Sequence, residues 1–312
     1  MERKKGALEK KSEKLKILII GGTGFIGYHL AHKCLELDWS VTIFSINKPK
    51  KIRNHKNVKY VRGNLFIKSS LKKINRHYDY VVNCGGYVDH KNKIKVYNSH
   101  FIGCKNLVDI FINKQIKMFV QIGSSAEYGD IKSPHNENLT CNPKSFYGKA
   151  KLKATQYLLK KNKSHNFPCT VIRLYQIFGI KQDNNRLIPF VINSCLKGET
   201  FPCSDGKQYR DFLPVQDLIE AIIKILIKKK TSGEILNIGS GKFIKIKSLI
   251  NLIKKKINNG KPIFGKIKMR KEENKKAYPS IKKIKKLVNW HPKLNFNKEI
   301  LKKILYYKNQ IE

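Results

Sequence analysis

A chain of 312 residues, 41% of them apolar, can bury a large core and has room for one or two domains. A formal charge of +43 would suit a nucleic-acid or acidic-membrane partner, but only eight of the 65 basic residues are Arg, and the Lys are spread among Ile and Asn over what read as solvated faces. No specific nucleic-acid role is expected. The seven cysteines contain no C-x-x-C pair, which argues against a regular disulfide framework or a zinc site and fits a reducing cytoplasm. No apolar run approaches the length of a membrane span.

Residues 1–15 are expected to form a basic tail, because the apolar stretch 17–20 is too short for a signal-peptide core and is used as a strand. That strand feeds into Gly21, Gly24 and Gly27, a strand–turn–helix pattern. Gly21 permits a turn in which a Cβ would clash, Gly24 lets backbone N–H groups approach a pyrophosphate, and Gly27 lets the new helix lie close to the strand. Thr23, Phe25 and Ile26 belong to the same turn and are expected to line a dinucleotide with the glycines. A helix is expected over 28–37 and a buried strand over 40–44. At the tip of that strand an Asp or Glu would accept hydrogen bonds from the adenine-ribose hydroxyls of NAD and repel the 2′-phosphate of NADP. The tip is Ser45, followed by Lys48, Lys50, Lys51 and Arg53, so the loop favours NADP over NAD.

Strands follow at 58–61 and 80–84, the second ending in Gly85 and Gly86, which let the backbone pass close to a cofactor ribose. A helix is expected over 97–113, with His100 packed or capping. The strand 118–122 runs into Gly123-Ser-Ser-Ala-Glu-Tyr-Gly129, the kind of carboxyl end at which open parallel sheets collect functional groups. Tyr147 and Lys151, four positions apart in a helical pattern reaching 160, share one helix face. A free phenol ionises near ~10 and a neighbouring ammonium favours its phenolate. Tyr147 can therefore exchange a proton with a carbinol or carbonyl oxygen that Ser124 holds by a hydrogen bond. Downstream, 169–174 and 234–238 read as strands and 217–227 as an amphipathic helix, with Asp217 as its N-cap. Alternating strands and helices imply parallel pairing with right-handed crossovers.

The Gly-x-x-Gly-x-x-Gly turn, the Ser-Ser-Ala-Glu-Tyr-Gly loop, the Tyr147/Lys151 pair and Arg210-Asp-Phe-Leu-Pro-Val-Gln-Asp217-Leu occur in an order that resembles the short-chain dehydrogenase/reductase superfamily, in its extended branch acting on nucleotide sugars. The resemblance covers about residues 16–292. It implies an α/β fold, a doubly wound parallel sheet of the Rossmann type with a smaller C-terminal substrate lobe. It implies catalysis by Ser124, Tyr147 and Lys151, with Lys151 also reaching the nicotinamide ribose. Asn64 and Leu65 stand where the family shows Gly-Asp-Leu against the adenine; Asn64 keeps a hydrogen-bonding side chain without the charge. For substrate it implies Ser124, Ser125, Gln176 in place of an Asn, and Arg210, whose guanidinium fork can meet two diphosphate oxygens at once. Arg270 sits roughly where a second phosphate-binding Arg is found. Phe178 replaces a Tyr and His100 an Asn, and Asn289-Trp-His-Pro292 resembles a structural Gly-Trp-x-Pro.

The expected division is a dinucleotide-binding domain of 16–176, with 213–240 returning to it, and a substrate lobe of 177–212 and 241–312. The implied activity is NAD(P)-dependent hydride transfer at C4 of a nucleoside-diphosphate sugar, by a cytoplasmic homodimer paired through helices near 97–113 and 147–160. The Ser45 and Ser124 loops favour a 4-keto-6-deoxy-sugar reductase or 4-dehydrogenase, with a 4-epimerase as the alternative. A non-catalytic dinucleotide- or RNA-binding protein is a distant third, opposed by the intact Ser124, Tyr147 and Lys151. Nucleotide-sugar 4,6-dehydratases carry successive Asp and Glu residues where this chain has Ser125 and Ala126. Glu127 comes one residue later, so no elimination of water is expected.

Overall fold

The computed structural model describes residues 13–87, 89, 91–269 and 274–310. Its first half alternates β1 (Lys16–Ile20), α1 (Phe25–Glu36), β2 (Ser40–Ser45), β3 (Lys59–Arg62), α2 (Lys68–Leu71), β4 (Tyr80–Asn83), α3 (Lys93–Tyr97), α4 (Gly103–Phe111), β5 (Met118–Ser124), α5 (Phe146–His165) and β6 (Cys169–Leu174). The chain then leaves the sheet through β7 (Gln176–Phe178), α6 (Leu187–Leu196), β8 (Thr200–Pro202), β9 (Tyr209–Arg210), β10 (Phe212–Pro214) and α7 (Val215–Ile227). It returns with β11 (Ile235–Ile238) and ends in β12 (Ile244–Lys245), α8 (Ile246–Ile257), β13 (Lys261–Ile263), β14 (Lys276–Ala277), α9 (Lys282–Val288) and α10 (Phe296–Lys308).

Seven strands form one parallel sheet in the order β11-β6-β5-β4-β1-β2-β3. Helices on both faces explain why the central strands β1 and β4 read as near-continuous apolar runs. Leu30, Leu218 and Ile222 cover one face, and Leu107, Phe111 and Leu158 the other. The winding reverses between β1 and β4, which opens a crevice above their carboxyl ends. A third apolar cluster joins Val191 and Ile192 of α6, Leu249 and Ile253 of α8, and Ile300 and Tyr307 of α10.

Several expectations need correction. The first helix begins at Phe25, three residues before the expected 28. The helix expected over 97–113 starts at Lys93, where the Asn92 side chain accepts from Lys95 N at 2.9 Å, and a π-helical segment, Asn98–Ile102, interrupts it. Exposed lysines in its first turn concealed that start. Asp217 is not an N-cap: Pro214 occupies that position. The buried Asp217 carboxylate instead accepts from Lys293 N and Leu294 N at 3.2 Å each, and its carbonyl accepts from Trp290 Nε1 at 3.1 Å. Through that tie Ile284, Val288 and Trp290, expected within the lobe, join the core against the sheet.

Asp217→Ala leaves two backbone donors without their acceptor, which costs about 1–3 kcal/mol for each group that stays buried. The urea midpoint should fall accordingly, whereas Asp217→Asn, which keeps an acceptor oxygen, should fall less.

Candidate active site

The crevice is a cavity of about 790 Å³ at the carboxyl ends of the central strands. Gly21, Thr23, Gly24, Phe25, Ile26 and Gly27 form its floor, Ser45 and Asn64-Leu65 one side, and Gly85, Ser124 and Tyr147 the other. Gly21 has φ +70°, and a Cβ there would meet Gly85 Cα at 2.8 Å. A Cβ on Gly27 would lie 2.5 Å from Gly22 Cα, so α1 can sit this low on the sheet only with glycine there. No side chain caps the N-terminus of α1. Its first N–H groups and the positive end of its dipole are thus available to a phosphate, and the glycine cradle fits a dinucleotide.

Ser124 ends β5, and its Oγ accepts from Ala126 N at 3.2 Å. The following residues form the short 3-10 turn Ser125–Glu127. Glu127 does not enter the cavity: fully buried, its carboxylate accepts from Ser124 N (2.9 Å), Thr155 Oγ1 (2.8 Å) and Arg173 Nε (2.9 Å). Arg173 also lies over the Tyr128 ring at 4.5 Å. Tyr147 stands in the first turn of α5, whose N-cap Ser145 Oγ accepts from Gly148 N at 3.0 Å. Lys151, one turn on, is buried; its ammonium donates to Ile122 O at 2.7 Å and lies 5.8 Å from the Tyr147 ring centroid. Cys84 also lines the cavity, but burial pushes its thiol up to about 12, which removes it as a nucleophile at neutral pH.

Ser45 Oγ accepts a long hydrogen bond from Thr23 N at 3.5 Å. Of the cations counted in its loop, Arg53 is buried and turned towards Asp183, with Nη2 3.0 Å from Oδ1, and Lys50 Nζ donates to that same oxygen at 2.9 Å. The two are engaged across the crevice, leaving Lys48 and Lys51 exposed. This link was not visible from the sequence, since the partners are more than a hundred residues apart. Further ties hold the same wall. Arg53 Nε donates to Lys181 O at 2.8 Å, and Lys181 lies over the Tyr28 ring at 4.3 Å. Burial lowers His29 to about 4, so it is neutral at pH 7, and its Nε2–H donates to Ile180 O at 3.0 Å.

On the substrate side Gln176 lines the cavity, and so does Arg186 from the start of α6. Ser125 and Arg210 lie outside the lining. Arg210 is on β9, mostly buried, with Nη1 donating to Tyr209 O at 2.7 Å. Arg270 lies outside the described residues. Among the described residues no cluster of His, Cys, Asp and Glu could hold a metal ion, and no helix is long and apolar enough to cross a membrane.

The family model described as the NAD dependent epimerase/dehydratase family matches residues 17–239. A Methanocaldococcus jannaschii protein provisionally named UDP-glucose 4-epimerase is 28% identical over 306 residues, 94% of this chain and 98% of its own. A dTDP-D-glucose 4,6-dehydratase of Dictyostelium discoideum is 28% identical over 253 residues, 72% of this chain and 58% of its own. Among solved structures, that of Thermotoga maritima UDP-glucose 4-epimerase with UDP-glucose superposes with a TM-score of 0.89 at 23% identity, over 95% of this chain and 99% of that one.

Two measurements test this arrangement. Glu127→Ala strips a buried guanidinium of its partner and should destabilise the fold by about 3–5 kcal/mol in urea unfolding. Asp211, beside Arg210, accepts from Ser240 N at 2.8 Å and Ser240 Oγ at 2.9 Å, yet burial raises it to about 6. Its folded form binds a proton more tightly than the unfolded chain, whose Asp titrates near ~3.9. Ionised Asp211 therefore opposes folding above pH 6, and this is relieved as pH falls from 6 towards 4. Wild type should gain stability relative to Asp211→Asn across that window.

Proposed function

The chain belongs to the NAD dependent epimerase/dehydratase family, and we propose that it transfers a hydride at C4 of a nucleoside-diphosphate sugar, using NAD and ending as a 4-epimerase. The observation that carries this reading is the convergence of the glycine cradle, Ser124 and Tyr147 on one cavity, with the Lys151 ammonium beneath the phenol ring. When bound, the dinucleotide accepts the hydride and returns it. Tyr147 takes the C4 hydroxyl proton as the hydride leaves and gives it back when the hydride returns to the other face of the keto-sugar. Ser124 Oγ holds the same oxygen, so the proton moves along a preset hydrogen bond. Tyr147 takes that proton as its phenolate and carries the negative charge again once the proton is returned; Lys151, fixed on Ile122 O, places positive charge beside the ring and favours that charged form.

An epimerase keeps its cofactor between turnovers. The wall made by residues 180–183, tied to Lys50, Arg53 and His29, hinders exchange and supports that ending. It also supports NAD, because two cations that could have met a 2′-phosphate are already paired. The name of the Methanocaldococcus jannaschii relative points the same way. A 4-keto-sugar reductase is the second reading, favoured by the missing carboxylate at Ser45. For substrate binding, Gln176 and Arg186 line the cavity, and we assign the diphosphate to them; Arg210 lies outside that lining. Elimination of water is not part of the proposal. Ser125 and Ala126 carry no carboxyl group, and Glu127 is held by Arg173, away from the cavity lining.

The test is incubation with UDP-glucose, UDP-N-acetylglucosamine and their C4 epimers, with products resolved by anion exchange and mass spectrometry. Interconversion of a C4 pair without added reductant supports the reading. Reduction of 4-keto-6-deoxy sugars with stoichiometric NADPH use would replace it with the reductase, and a product lighter by one water would overturn it. Tyr147→Phe should lower turnover by about 10²- to 10⁴-fold, as for loss of a general acid–base, with cofactor affinity retained.

A further inference from the structure

The placement of Tyr147 in α5 does not by itself fix the rotation of its ring. His100 meets that ring from another element. It lies in the π-helical segment Asn98–Ile102 and is 5% exposed. A π turn widens the helix and re-aims its side chains, and such turns concentrate at functional sites. The imidazole and the Tyr147 ring meet edge to face, with centroids 5.1 Å apart and planes at 81°. His100 Nε2 lies 3.1 Å from Tyr87 O; a carbonyl can only accept, so Nε2 carries the hydrogen and the ring is oriented. Space is reserved for it: a Cβ on Gly86 would stand 2.1 Å from His100 Cε1. Gly86 and Tyr87 both line the cavity, so the imidazole packs behind its wall and against the phenol. Lys151 Nζ also lies near that ring, at 5.8 Å.

We propose that His100 is a positioning residue for the proposed proton transfer, holding the Tyr147 phenol at the angle the carbinol oxygen requires, and that Gly86 is shaped to admit it. The inference rests on the reading of Tyr147 above. A displaced general acid–base loses rate while ground-state binding stays intact, and a misplacement of about 1 Å can lower turnover about 10²-fold. Simple packing damage would instead lower stability and affinity together.

The experiment compares wild type, His100→Ala, Gly86→Ala and the double variant, with Tyr147→Phe alongside, on UDP-glucose and NAD. For each, kcat, KM, cofactor affinity by fluorescence titration and melting temperature are measured. His100→Ala should lower kcat on the order of 10- to 100-fold with KM and cofactor affinity within about twofold. Gly86→Ala, which pushes the imidazole aside, should lower kcat to a similar extent, whatever it does to cofactor affinity at the ribose, and add little to the kcat loss in the His100→Ala background. Unchanged kcat in His100→Ala, or losses in the two variants that simply add, would overturn the proposal. If His100→Ala does not fold, Gly86→Ala decides by the same kcat signature. If Tyr147→Phe keeps full activity, the reading of the site has failed instead. If UDP-glucose is not turned over, ring-¹³C-tyrosine NMR decides without substrate. The Tyr147 signal, assigned by its loss in Tyr147→Phe, should move in His100→Ala, and an unmoved signal refutes the contact.

Discussion

The buried pair of Glu127 and Arg173 is the constraint from which the Ser124 and Tyr147 side of the crevice follows. Two charges with almost no solvent contact tolerate burial when they are paired and hydrogen-bonded to each other. Glu127 meets that condition with Arg173, Thr155 and the backbone of Ser124, and so ties the end of β5 to α5 and β6. A Cβ on Gly123 would lie 2.6 Å from the Glu127 carboxylate, which leaves glycine as the residue that fits. The pair thereby sets where Ser124 leaves the sheet and how α5, with Tyr147 and Lys151, lies against it. It also holds the one carboxylate of the loop away from the cavity lining.

A second tie links the dinucleotide side to the substrate side. Asp183 draws Lys50 and Arg53 across the crevice, while Tyr28 and His29 of α1 hold the adjoining residues 180 and 181. Lys50–Asp183 is exposed and contributes little by itself. Arg53 is different, because its buried guanidinium also donates to Lys181 O, so its loss would open the wall and not merely remove a surface contact.

The parts legible in the sequence are those set by local rules. Apolar β-branched runs give the parallel strands, the glycine spacing gives the turn at Gly21, and the interval between Tyr147 and Lys151 places both on one face of α5. What escaped depends on partners distant in the chain. Arg53 read as an available cation because Asp183 lies far along the sequence. Asp217 has the residue type and place of a cap, but its acceptors serve 293 and 294 because α9 and Trp290 pack on α7 and the sheet. His100 read as a packed histidine, which is true of its burial; its neighbour, the Tyr147 ring, could not be read from spacing. The π turn that aims it leaves no sequence signal comparable to a glycine or a proline.

The charge excess acquires a physical role once the crevice is placed. Among the described residues only Lys151 and Lys303 of the lysines are buried, Lys303 in the core of the lobe close to Glu299, and those of α8 and α9 are mostly exposed and salt-screened. Such a surface contributes little to the fold, and its self-repulsion weakens it. It does create a positive potential felt by any dianion within roughly 8–10 Å at physiological salt. A nucleoside-diphosphate sugar and a dinucleotide both carry a diphosphate, so the same field favours the encounter of each with the crevice. Specificity cannot come from that field, which treats all diphosphates alike. It has to come from groups of fixed geometry at the cavity wall, and there, among the described residues, a single guanidinium, Arg186, lines the cavity with the amides of Gln176 and Gln182.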